Sequence, residues 1–151
     1  MGLDMYFRGK RYLWSSSDDD AATAAAINKL FPELEVGQEV NEVTVELMYW
    51  RKANAIHKWF VDNVQDGVDE CEEFEVSNEQ LAGLHLACKS VLATPTDFAL
   101  YLPTASGFFF GSTEPDEWYM KNITDTKEWL DKLLGNPETF KQWTFYYQSS
   151  W

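Results

Sequence analysis

Both ends of this chain carry the two-residue period of a β-strand, and helical stripes occupy much of what lies between them. Near the start, Leu3, Met5 and Phe7 alternate with Asp4, Tyr6 and Arg8 in a strand expected over Leu3 to Trp14. Near the end, Trp143 to Tyr147 alternates in the same way. Short strands at both ends, with helices between, predict an α+β fold: a mixed or antiparallel sheet with about four helices packed on one face. The 151 residues suit a single domain spanning 1-151.

Local signals fill in this frame. Ser15 to Asp20 reads as a loop running into a helix cap, followed by a short peripheral helix over Ala21 to Leu30 that stops at Phe31-Pro32. Val43, Val45, Leu47 and Tyr49 alternate against Thr44, Glu46, Met48 and Trp50, a half-buried strand over Val40 to Trp50. Ile56, Trp59, Phe60 and Val64 form one helical stripe over Arg51 to Val64, closed by a turn at Asp66-Gly67. Phe74 to Val76 is a short edge strand. Ser77 and Gln80 have the spacing of a capping box, opening a helix to Leu92 with Leu81, Leu84 and Cys88 inward. Ala93 to Ala105, with Pro95 and Pro103, reads as loop. Gly107-Phe108-Phe109-Phe110-Gly111, an apolar run between glycines, reads as a central strand. Ser112 to Glu117 starts the last long helix, which runs to about Leu134 and ends at Gly135-Asn136-Pro137.

Charge narrows the function classes. The chain has 12 Lys and Arg against 25 Asp and Glu, a net of −13, and a field of that sign repels phosphate backbones and anionic membranes. Direct nucleic-acid binding is therefore not expected. The surface is either simply well solvated or complementary to a basic groove on another protein. Aromatic residues make up 16%, which supplies large rigid rings for a core or a binding face. No stretch reaches the ~18 consecutive apolar residues of a membrane span, and no apolar segment follows a basic one as in a signal peptide. Cys71 and Cys88, 17 residues apart by their numbers and outside any CxxC pattern, are expected as free, half-buried thiols in a reducing cytoplasm.

Tyr49, Trp50, Arg51, Lys52, Asn54 and His57 form the densest chemical constellation, at the crossing from a strand end to a helix start. Flat rings beside Arg and Lys can stack a base and hold a phosphate. Cations at a helix start run against its dipole, which hints at a specific partner. The plainer reading pairs Arg51 and Lys52 with carboxylates such as Glu46 or Asp116. His57 is placed either as a general base or as a hydrogen-bonded histidine at the core edge. His85, in register with Leu81, Leu84 and Cys88, is expected in core packing. Neither histidine sits in an HxxxH or HExxH pattern, and the acids from Asp66 to Glu73 lack a calcium-loop ladder, so no metal or other cofactor is expected. GxSxG, Walker A and GxGxxG signatures are absent, and no residue is assigned a catalytic role.

The stretches Met1 to Tyr6, Tyr49 to His57, Asn63 to Gly67, Ser106 to Glu114 and Ser149 to Trp151 together run from end to end of the chain. On them the sequence resembles a family of small uncharacterised bacteriophage and prophage proteins, with Ser15 to about Glu39 matching least. The resemblance implies a phage origin and a location in the cytoplasm of a bacterial host. It carries no activity and no catalytic residue. The function expected first is that of a phage accessory protein that binds and modulates a host component, a protein partner such as a defence or nucleic-acid-processing machine. The alternative is a binder or enzyme acting on a nucleotide or other small ligand through Tyr49 to His57. A weaker alternative is an acidic mimic of nucleic acid. Homo-oligomer formation is compatible with each.

Overall fold

A computed structural model describes residues 2–33 and 39–151; Met1 and residues 34–38 lie outside the described residues. Four strands, β1 (Asp4–Tyr12), β2 (Glu42–Arg51), β3 (Phe74–Val76) and β4 (Thr144–Ser150), form one antiparallel sheet in the order β2-β1-β4-β3. Among the described residues six α-helices accompany it: α1 (Asp18–Leu30), α2 (Asn54–Val64), α3 (Asn78–Ala93), α4 (Phe98–Tyr101), α5 (Glu117–Leu134) and α6 (Pro137–Phe140). The fold is α+β. Four of the helices are long; α4 is a single turn inside the Ala93 to Ala105 segment expected as loop, and α6 is a single turn that starts at Pro137, the expected end of the last long helix.

The two terminal strands lie side by side at the sheet centre, with Asp4 opposite Ser150 and Lys10 opposite Thr144. Met5 and Phe7 of β1 and Phe145 and Tyr147 of β4 point to the buried face, where they meet Ile56 and Phe60 of α2. Phe60 and Tyr147 stack 3.9 Å apart at an interplanar angle of 8°. Each such fully buried side chain contributes about 1.5–3 kcal/mol through area removed from water. In β2 the register shifts between Phe7 and Arg8, so that Phe7 faces Met48 and Arg8 faces Glu46. A bulge at Leu47 re-aims the strand: Trp50 is buried and Tyr49 is exposed, and the Val45-Leu47-Tyr49 series does not share one face.

Helix ends follow local chemistry. Ser77 and Gln80 exchange both bonds of the capping box, 3.1 Å to the Ser77 hydroxyl and 2.8 Å from the Ser77 N–H. Ser17 caps α1, which buries only Asp20 and Ala24 and is held to β1 by Arg11 and Asp20 at 2.7 Å. His85 is not in the core: it lies at the helix edge with Nε2 2.7 Å from the Asp131 carboxylate of α5. The two thiols are free but unequal, Cys71 exposed and Cys88 buried.

The Phe run is not a strand. Gly107 to Phe110 forms a tight turn, with the Phe110 N–H donating to the Gly107 carbonyl at 3.2 Å. The central position in the sheet is unavailable, because β1 is flanked by β2 on one side and β4 on the other. The run makes one strand-like bond to the sheet, from Leu3 N–H to Phe109 O at 3.1 Å. Phe110 then turns inward and Phe108 outward.

Candidate functional site

A cleft of about 360 Å³ opens where β2 passes into α2. Arg51 and Lys52 form one wall, and Glu114, Asp116 and Trp118 stand across it; Ile56, Tyr119 and Ile123 supply an apolar floor. The wall is built by a sharp reversal. Lys52 adopts a left-handed backbone (φ 55°), rare for a residue with a side chain, and its N–H is held on the Leu3 carbonyl at 2.8 Å. Gly111 (φ 85°) backs against it, and a Cβ there would stand 3.2 Å from the Lys52 Cβ. The two reversals fit together because one of them lacks a side chain.

Asn54 fixes the second loop of the cleft. Its amide donates to the carbonyls of Phe110 (3.1 Å) and Ser112 (2.8 Å), and its oxygen accepts from the Ala105 N–H at 3.1 Å. One buried side chain thereby ties three points of the 105–112 loop to the start of α2. Phe110 anchors the same loop, and Gly107 is required beside it, since a Cβ there would lie 2.6 Å from the Phe110 ring. At the far end Asp116 caps α5 by accepting from the Tyr119 N–H at 2.9 Å. Tyr119 donates to the Leu102 carbonyl at 2.8 Å, and burial pushes its phenol up. Between these anchors the loop presents Phe108, 95% exposed, and leads to Trp118, 72% exposed.

The cleft gathers Arg51, Lys52 and Asn54 from the expected constellation and leaves the other three elsewhere. Tyr49 points to the sheet face away from the core, its ring 5.5 Å from Tyr6 and its hydroxyl donating to Asp4, which raises its ionisation range. Trp50 is in the core, donating to the Thr126 hydroxyl at 2.8 Å, so neither ring is placed to stack a ligand in the cleft. Asn54 lines the cleft with its polar atoms already engaged. Arg51 is the last residue of β2 and α2 begins at Asn54, so the two cations do not crowd the helix start. Among the described residues neither pairs with Glu46 or Asp116, and Arg51 only approaches Asp4, at 4.0 Å.

His57 is sealed in the core. Its Nδ1 lies 2.7 Å from the Tyr147 hydroxyl. Its Nε2 is 3.1 Å from the Asp69 carboxylate but poorly aligned for a hydrogen bond. Burial lowers its pKa, and Asp69 offsets part of that shift. Asp69 also accepts from the Trp151 indole at 3.2 Å. The order Asp69, His57, Tyr147 resembles an acid–base relay, yet His57 is 1% exposed and Tyr147 0%. His57 and Tyr147 are closed to solvent while Asp69 is partly exposed, and the three join the 65–71 loop to β4.

Trp118 is the cleft residue that the sequence reading passed over. Its signal is positional: the inward stripe of α5 is Tyr119, Ile123, Thr126, Leu130 and Leu133, and the residues three and four beyond Trp118 are Lys121 and Asn122, so no apolar stripe continues from it. Among the described residues no three His, Cys, Asp or Glu side chains converge as metal ligands, and no helix is long and apolar enough to cross a membrane. No protein-family model matches the chain, and no curated protein and no solved structure matches it either.

Proposed function

We propose that this chain acts by recognition: it is an accessory protein of phage origin that binds a host protein, meeting it with the cleft and the anchored loop beside it. The observation that carries this reading is the exposure of Phe108, on a loop pinned at Ala105, Phe110 and Ser112, and of Trp118, in the first turn of α5 just after its Asp116 cap. Large rings held rigidly in water cost little ordering entropy when a partner covers them, and such rings dominate binding energy in interfaces. Glu114, Asp116 and Glu117, all exposed, surround them with negative charge, which suits a basic partner surface and gives a salt-sensitive association. The test is capture from a bacterial host lysate on immobilised chain at several salt concentrations, with mass-spectrometric cross-linking to locate the contact. A partner that cross-links near Phe108 and is lost with the double change Phe108→Ser and Trp118→Ser supports the reading. The absence of any salt-sensitive partner overturns it.

The cleft itself favours a second reading, a nucleotide or other small anionic ligand. Its volume lies within the range of small-molecule sites. In this reading Arg51 and Lys52 hold the anionic group and Trp118 takes the stacking role that Tyr49 and Trp50 do not fill. A ligand at 100 times its Kd adds about 2.7 kcal/mol of stability, which a thermal-shift screen of nucleotides detects. A shift that survives Arg51→Ala rules out this site.

A further inference from the structure

We propose that, when no host partner is present, the cleft face closes on a second copy of this chain about a two-fold axis. A two-fold interface needs a patch complementary to itself, so that what one copy offers the other receives. This face carries both halves. Arg51 and Lys52 line the cleft from the end of β2, and Glu114 and Asp116 line it from the segment before α5, with Glu117 exposed beyond them. Among the described residues no salt bridge joins the two sets, and the nearest acid to Arg51 is Asp4 at 4.0 Å. Rotation of a second copy by half a turn over the cleft sets its acids against these cations, and its cations against these acids. The rings follow the same logic. Trp118 and Phe108 are 72% and 95% exposed, and the 360 Å³ space with its apolar floor has room for a large ring from the other copy. Each ring so covered removes a large apolar area from water.

The net charge of −13 works against any pairing of copies at long range, so the contact depends on this local match of signs. A host partner that uses the same face competes with the second copy, while the pairing itself needs no host.

Sedimentation velocity over a concentration series reads it out. The parent chain is expected to shift from monomer to dimer, and Trp118→Ser to weaken the dimer at least 10-fold. The double change Arg51→Glu and Lys52→Glu makes the whole face acidic; the double change Glu114→Lys and Glu117→Lys makes it basic. Each variant alone is expected to stay monomeric, and an equimolar mixture is expected to form the heterodimer. The basic variant has a smaller net charge than the parent, so its failure to pair with itself is not overall repulsion. All of these side chains are exposed, and a thermal melt verifies that each variant folds. If an acidic or basic variant does not fold, Trp118→Ser and Phe108→Ser decide the matter alone. A parent chain that stays monomeric throughout, or a dimer indifferent to these changes, overturns the proposal. A parent chain that dimerises but captures no salt-sensitive host protein counts against the host reading and leaves this one standing.

Discussion

The Tyr147 hydroxyl and His57 Nδ1 lie 2.7 Å apart with both residues fully buried, joining the last strand of the sheet to the helix that borders the cleft. Tyr147→Phe keeps the ring stacked on Phe60 and removes only the hydroxyl. It leaves His57 Nδ1 without its buried partner, a loss of about 1–3 kcal/mol. Urea denaturation followed by tryptophan fluorescence measures it, and an unchanged midpoint would show that the bond contributes nothing.

His57 also sets a pH dependence. Burial holds its folded pKa below the ordinary value, with Asp69 and Tyr147 the titratable groups facing it. The unfolded chain takes up a proton near pH ~6.5 while the folded chain does not. Stability is therefore full above that pH and falls as the pH drops through it, until the folded pKa is reached. Each unit of depression is worth about 1.4 kcal/mol. Denaturation midpoints at pH 7 and pH 5 are expected to differ less in His57→Gln than in the parent.

Asn54→Asp exchanges two donors for a negative oxygen facing the carbonyls of Phe110 and Ser112. The expected cost is about 2–4 kcal/mol from lost donors and an ill-placed charge. Hydrogen exchange at the Ala105 amide and in the turn after it is expected to accelerate more than in the sheet. Equal acceleration everywhere would place the effect in global stability instead of the loop.

Phe108→Asp is expected to change stability by less than about 0.5 kcal/mol, because the ring it removes is almost wholly in water. Phe110→Ala, two residues on in the same turn, empties a core position and costs about 3–5 kcal/mol. Calorimetry of the two variants separates the turn from the central strand that the glycine-bounded run suggests. A large loss from Phe108→Asp would restore the strand.

The fold class was legible because the period of two at the ends and the helical stripes between them are direct prints of burial. Ser77 and Gln80 were legible for a similar reason, since a capping box is local chemistry. The Phe run was misleading: three adjacent aromatic residues show that apolar surface exists, not whether a strand partner is left to receive it. Tyr49 and Trp50 necessarily face opposite ways as neighbours in a strand, but which of them enters the core was not legible, because the bulge at Leu47 that turns Trp50 inward depends on pairing with β1. Lys52 kept its place at the site for a reason no local pattern displays, the fit of its left-handed turn against Gly111.

Arg8 and Gln148, neighbours through a side-chain bond of 2.8 Å, are 140 residues apart along the chain. On a ribosome that adds about 5–20 residues each second, β1 waits for seconds before β4 exists to pair with it. During that interval one flank of the earliest strand is open to whatever extended segment comes near. Arg8 and Lys10 on that strand place charge along the waiting edge, so the same side chains that finish bonded to Gln148 and Glu73 can first serve to keep nascent copies apart.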